Sequence, residues 1–381
     1  MSTRLSIIVL WMCFIILLVL GIVMVASTGL CAAVPHGEDP ATFLQKQAGF
    51  GFMGLLGALV LSSIDYHKYR AWVKPMWWTV TALLIMCYLP GVGLTINGEQ
   101  RWVNLGITFQ PSELSKIVLM ICMSHWYTLY REQAGTFWNG FAIPGGVIFG
   151  VQLVLILFEK DMGTAAALAM SGFCIMYVAG ARGWLMALAL LVGALVLYWM
   201  ATGSANRMER IYAWLDPQAY SQGAGRQQWI SILAFARGGL TGVGLGDGIE
   251  KFGNLPFAHT DFIFAEVGEE WGLVGTLGVL LLFTMMTLAG IVMALRTSDT
   301  FGRLLATGLV CTIFWPAVLN MAVVTSLLPN TGLPLPLISY GGTNLVFTIA
   351  SIGILTSVQR FTPTIRQSCM PIRRLKQNPR L

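Results

Sequence analysis

The sequence predicts an all-α polytopic membrane protein with ten transmembrane helices and a large extracytoplasmic loop between the seventh and the eighth. Three observations carry this. The chain of 381 residues is 56% hydrophobic and only 10% charged, whereas soluble domains carry about 25% charged residues. Its apolar residues come in runs of roughly 20, the length of helix that crosses about 30 Å of hydrocarbon. Once those runs alternate across a bilayer, fourteen of the 23 Lys and Arg residues fall on one side, which marks the cytoplasm.

In order, the runs cover about 6–28, 46–64, 76–93, 113–130, 139–158, 163–180, 184–202, 262–295, 302–328 and 339–361. The first has too long an apolar core for a secretory signal. Leu30 precedes Cys31, where lipoprotein cleavage needs a small residue, so the segment reads as a retained helix. The eighth run exceeds one vertical crossing and must tilt or protrude. With the N-terminus inside, Arg4, Lys68, Arg70, Lys74, Arg131, Arg182, Arg296, Arg303, Arg360 and the basic tail 362–381 are cytoplasmic. The whole chain, 1–381, reads as a single integral membrane domain, and the net charge of +6 is mostly a topology signal. No basic face interleaved with aromatics suggests nucleic acid as a partner. Five of the seven cysteines lie inside runs, which argues against a disulfide framework or a metal cluster.

The outer face then receives the unusual loops 29–45, 94–112, 203–261 and 329–338. Around 97–116, Pro111 suits the first helical turn and Glu113 complements its dipole, so Ser112 and Glu113 serve either as caps or in chemistry. Lys116 lies about one turn inside a span, where a cation needs an anion or must snorkel. Glu159, Lys160 and Asp161 fill a very short turn, with Asp161 suited to capping the helix that follows. The stretch 329–344 holds three prolines and three glycines, which forbid a simple helix. Such backbone is tolerated at membrane depth only when buried in protein or lining a cavity. In the loop 203–261, two amphipathic segments carry tryptophans suited to the interface, and GGLTGVGLGDG follows. Those glycines either provide flexibility or line a diphosphate with their amides. Finally, four of the 17 acids crowd into LPFAHTDFIFAEVGEEWG at 255–272, just before the eighth run. Asp261 there reads as a helix cap or as one catalytic acid, and the later glutamates as structural acids.

The order RW…LG…QPSELSK, DMGTA, FARGGLTGVGLGDGIEKFGNLP, AHTDFIFAEVGEEWG and LPNTGLPLPLISYGGTN closely resembles the FtsW/RodA/SpoVE family over the whole chain. These are the shape, elongation, division and sporulation glycosyltransferases of the bacterial cytoplasmic (inner) membrane. The resemblance implies polymerisation of lipid II into a nascent glycan strand at the outer face. It also implies work beside a class B penicillin-binding protein, within a divisome or elongasome. It implies Asp261 as the essential carboxylate and general base, and it matches Trp102 and Lys116 to motif positions. Arg101, His259, Thr260, Arg237, Lys251, Ser339 and Tyr340 join them as substrate-binding candidates, with Arg226 a further cation for the diphosphates. No cofactor is certain, though a divalent cation (Mg or Mn) fits such chemistry. GEEWG leans toward the division branch.

Three positions depart from the family: Lys160 stands for a proline, Phe257 for a glutamate and Pro316 for a glutamine. Glycosyl transfer from a lipid diphosphate needs a base for the acceptor hydroxyl, cations for the leaving group and a groove open to lipid. One outer carboxylate, outer cations and a Pro/Gly-broken element meet that need. A lipid II flippase and a non-catalytic divisome scaffold are the alternative readings. A transporter would place its ionisable groups near the bilayer midplane on an internal repeat, and neither is visible.

Overall fold

The computed structural model describes residues 3–33, 40–96, 99–104, 106, 108–203, 205–252 and 258–362. The departure at Phe257 and the tail beyond residue 362 lie outside the described residues. The helices are α1 (Thr3–Ala33), α2 (Pro40–Ser63), α3 (Val73–Met86) and α4 (Pro111–Leu129), followed by a wide π-helical stretch, Trp138–Gly150, that continues as α5 (Val151–Phe158). Next come α6 (Met162–Ala179), α7 (Gly183–Thr202), α8 (Ala205–Leu215), α9 (Arg226–Gly238), α10 (Ile263–Arg296), α11 (Thr300–Val324) and α12 (Gly342–Phe361). Each expected run overlaps one of these helices.

Seven of the described helices are long and apolar enough to cross a membrane. The other three expected spans are helical but fall short of that standard. Helix α3 has only 14 residues, α4 carries buried Glu113 and Lys116, and the described apolar part of α7 is Gly183–Leu195. This is an integral membrane protein. Its outward faces, such as Ile8, Met12 and Ile15 of α1, expose apolar side chains where a soluble protein would place charge.

The chain is not all-α. The loop expected over 94–112 folds into a small antiparallel sheet, β1 (Gly93–Ile96), β2 (Glu99–Asn104) and β3 (Thr108–Phe109), in the order β1-β2-β3. Strand alternation puts Arg101 and fully buried Val103 on one face and half-buried Trp102 on the other, where Trp102 pairs across from Leu94.

Helix ends follow local chemistry. Asp161 and Asp299 cap α6 and α11 by accepting from the amides of Thr164 and Gly302 at 2.9 and 2.7 Å. Gly180 closes α6 at φ 92°, a left-handed end that glycine takes without strain. Of the seven helices long and apolar enough to cross, α11 and α12 are the most buried, with α11 packed on α4, α6, α10 and α12, and α12 on α2. Polar side chains inside the bundle find partners. Gln152 accepts from Ser115 at 2.7 Å and donates to Thr81 at 3.2 Å, joining α3, α4 and α5.

Candidate active site

Asp261 is not the cap of the helix that follows. It sits half-buried in a turn, and Phe262, which makes no side-chain cap bond, occupies the N-cap of α10. What holds the turn is the segment between α11 and α12. Pro329, Pro334 and Pro336 break the helix there, and Gly332 and Leu337 adopt left-handed φ of 70° and 67°. This irregular backbone is mostly buried against protein, one of the two conditions under which membrane-depth loops persist.

Three consecutive carbonyls of the turn each receive one donor. His259 O accepts from the amide of Tyr340 at 2.9 Å. Thr260 O accepts from Ser339 Oγ at 2.6 Å, and Asp261 O accepts from Asn320 Nδ2 at 2.7 Å. Asn320 also donates to Leu333 O at 2.6 Å, and Ser339 Oγ accepts from the amide of Leu335 at 2.7 Å. The rings of Phe43, His259 and Tyr340 close one side, with centroids 5.2–5.8 Å apart. Burial pushes the His259 imidazole below its usual pKa, so it is neutral at pH 7. The Asp261 carboxyl faces Gly332, where a Cβ would stand 3.6 Å from Oδ2. Sequence reasoning had His259, Thr260, Ser339 and Tyr340, which the structure brings together, but it passed over Asn320. The available signal was an asparagine inside an apolar helix, a costly residue without a partner.

The cations divide into two groups. Lys116 forms a buried ion pair with Glu113 at 2.8 Å. The pair lines a cavity of about 10 Å³ with Thr312, Thr348 and Ser351, a volume that suits one water. Arg101 lies 3.6 Å from Asp161 and is 22% exposed. Arg226 is exposed at the start of α9. Lys251 is more deeply placed. Its ammonium donates to Glu270 Oε1 at 2.5 Å, Ser27 Oγ at 2.8 Å and Gly246 O at 2.8 Å. An ammonium has three donors, so all are taken up inside the protein. Arg237, 43% exposed, pairs with Glu250 at 2.5 Å and lies 3.6 Å from Glu269. It therefore serves chiefly as a strut between α9 and the loop after it.

The glycine-rich stretch is a clamp. Helix α10 breaks at Gly272 (φ 66°, ψ −158°), and the stretch docks on the break. Val243 and Gly244 donate amides to the carbonyls of Glu269 and Glu270 at 3.0 and 3.1 Å. Leu273 and Val274 donate back to Gly239 and Leu240 at 2.9 and 3.2 Å. A Cβ on Gly242 or Gly238 would stand 2.1 or 1.9 Å from a carbonyl oxygen of α10. Close backbone contact, rather than flexibility or phosphate lining, accounts for these glycines. The acids after Asp261 belong to the same clamp: Glu269 accepts from the amides of Ile249 and Glu250, the nearest at 2.9 Å. Among the described residues, no group of three or more His, Cys, Asp or Glu side chains is arranged to hold a metal ion.

A family model described as cell cycle protein, covering FtsW, RodA and SpoVE, matches residues 7–364. The chain is 36% identical over 346 residues to a probable peptidoglycan glycosyltransferase FtsW of Geobacter sp. (strain M18), covering 90% of this chain and 94% of that one. It is 32% identical to the stage V sporulation protein E of Bacillus subtilis (strain 168), over 91% and 95% of the two chains. Among solved structures, it superimposes on the Thermus thermophilus rod shape determining protein RodA with TM-score 0.68 at 26% identity, over 92% and 95%. It superimposes with TM-score 0.73 at 27% identity, over 91% and 96%, on a chain of a structure reported as "Structural coordination of polymerization and crosslinking by a peptidoglycan synthase complex".

Proposed function

The chain belongs to the FtsW/RodA/SpoVE family of cell cycle proteins, and from that membership and the turn around Asp261 we propose that it is a peptidoglycan glycosyltransferase that polymerises lipid II. The observation that carries the residue assignment is the anchoring of three successive carbonyls, His259 to Asp261, by Tyr340, Ser339 and Asn320. Such anchoring fixes the backbone that carries one half-buried carboxylate, which is what a positioned base requires.

In this mechanism Asp261 takes the proton from the 4-hydroxyl of the acceptor sugar. The hydroxyl oxygen attacks the anomeric carbon of the donor, the bond to the diphosphate breaks with inversion, and undecaprenyl diphosphate departs with the bonding pair. The leaving group carries its own negative charge, so no general acid is required. Arg101 and Lys116, with Arg226, stabilise that charge, acting strongly in a region of low dielectric. Neutral His259, Thr260, Ser339 and Tyr340 shape the sugar side, and Trp102, on the outer face of the small sheet, meets the substrate above it.

The protein crosses the bacterial cytoplasmic membrane ten times with both termini inside and 203–261 outside. Single cysteines at Ser221 and Gln377, in a background cleared of accessible thiols, check this: only the first should react with an impermeant reagent in intact cells. A class B penicillin-binding protein packs its membrane helix on α10 and α11. Along α10, Gly272 is occupied by the clamp and Gly275 is crowded by Trp271, while Gly278 meets nothing within 4 Å and permits close helix approach. Purified protein in liposomes should convert lipid II to polymer resolved on a gel. Asp261→Asn should fold and bind lipid II yet make no glycan. Near-normal polymerisation by that variant would end the assignment.

A further inference from the structure

Asp161 does more than end a helix. One oxygen, Oδ1, accepts from the Thr164 amide at 2.9 Å and so completes the cap of α6. The other, Oδ2, accepts from Gln110 Nε2 at 2.9 Å and lies 3.6 Å from Arg101 Nη1. A cap requires only one of those oxygens. The carboxylate is 2% exposed, and it gathers β2, the residue before α4, and α6 at one point. A buried carboxylate in such a place needs a countercharge, and Arg101 is the cation beside it.

This point adjoins the Asp261 turn. The second residue of α6, Gly163, lies so close to the broken segment that a Cβ would stand 2.5 Å from Leu333 Cγ and 3.0 Å from Thr331 O. Gly332, between them, faces Asp261 Oδ2. The neighbouring acid plays a different part. Glu159 is fully buried, with Cys87 as its side-chain neighbour. Burial first, and then the charge of Asp161, pushes its pKa up to about 9, against the pull of Cys87 and Arg101. It is neutral at pH 7, which leaves Asp161 as the anion of the turn. Lys160, between the two acids, points its side chain to the exterior from a left-handed φ of 63°.

We infer that Asp161 is a positioning residue whose carboxylate holds the Arg101 guanidinium at the rim of the Asp261 turn, where that fork meets the diphosphate of the lipid substrate. A guanidinium binds phosphate through a planar fork, so fixing one edge fixes the plane in which it can act. The inference rests on the lipid diphosphate reading given above.

The test uses full-length protein in nanodiscs, with undecaprenyl diphosphate as the binding probe and lipid II for turnover. Asp161→Asn keeps the capping ability but turns an amide nitrogen or an uncharged oxygen toward Arg101 and Gln110. It should weaken undecaprenyl diphosphate binding about tenfold and raise KM similarly, as expected for losing a charge-assisted contact, with kcat within about twofold of wild type. Asp161→Ser, a second capping residue without charge, should do the same. Arg101→Ala should weaken binding at least as much, and the double variant Asp161→Asn with Arg101→Ala no further, because the two act as one unit. Glu159→Gln, which copies an already neutral group, should leave binding unchanged. Multiplying effects in the double variant would overturn the inference, as would unchanged binding in both Asp161 variants. A wild-type protein that makes no polymer refutes the polymerase reading instead, while the binding cycle still decides the role of Asp161.

Discussion

The side-chain amide of Asn320 donates to the carbonyl oxygens of both Asp261 and Leu333, at 2.7 and 2.6 Å. One residue of α11 thus ties the turn that bears the proposed base to the broken segment facing it. Asn320→Ala removes both donors and strands two carbonyls, at about 1–3 kcal/mol each. The variant should unfold at lower temperature, and glycan synthesis should fall further than lipid II binding. Wild-type polymerisation by a folded Asn320→Ala protein would show that the tether is dispensable.

Lys251 and Glu270 test whether a cation is structural. Each is nearly inaccessible, with side chains 1% and 0% exposed. Lys251→Met should cost about 3–5 kcal/mol, because it leaves a buried carboxylate without its countercharge. Adding Glu270→Gln to that variant should recover part of the loss in thermal unfolding. If Lys251 held substrate instead, Lys251→Met would weaken lipid II binding and leave the unfolding temperature in place.

Two glycines should respond with opposite sign. Gly242 has φ 81°, and a Cβ there would stand 2.1 Å from Glu270 O. Gly242→Ala should therefore destabilise by roughly 2–5 kcal/mol through strain and overlap. Gly278 lies within helix α10 with open space around it, so Gly278→Ala should stabilise by about 0.5–1 kcal/mol. Unfolding temperatures of the two variants side by side settle the matter, and equal shifts would refute the clamp.

Glu159 makes stability depend on pH on the alkaline side. Its folded pKa of about 9 stands above the ordinary value of 4.5, so the folded state holds the proton more tightly than the unfolded chain. The stabilisation from that bound proton is fully present below the ordinary pKa and is lost as pH rises through about 9. Thermal unfolding between pH 6 and pH 10 should show a decline that Glu159→Gln flattens. An identical decline in the variant would assign it to another group.

Much of the architecture could be read from local pattern. Apolar runs placed the seven described helices long and apolar enough to cross a membrane, Asp161 announced the start of α6, and Pro329, Pro334 and Pro336 announced a break between α11 and α12. The candidate site was legible in part: Asp261, His259, Thr260, Ser339 and Tyr340 stood out by type and by motif. Asn320 did not, because its role depends on a carbonyl 59 positions away. The small sheet at 93–109 was missed for a related reason. Its strands are only two to six residues long, too short for alternation to emerge against a helical background.

Hydropathy, helix capping and chain breaking act within a few residues, so the order of amino acids alone settled membrane insertion, helix order and the position of the irregular segments. Pairing does not act locally. Lys251 meets Ser27 across 224 positions, and the glycines at 238–244 lie against a break in α10 at Gly272. Only the packed fold could show which carboxylate each cation meets: Glu270 for Lys251, Glu113 for Lys116 and Asp161 for Arg101. A charge at a membrane protein's interior is defined by its partner, and its partner is brought there by tertiary contact.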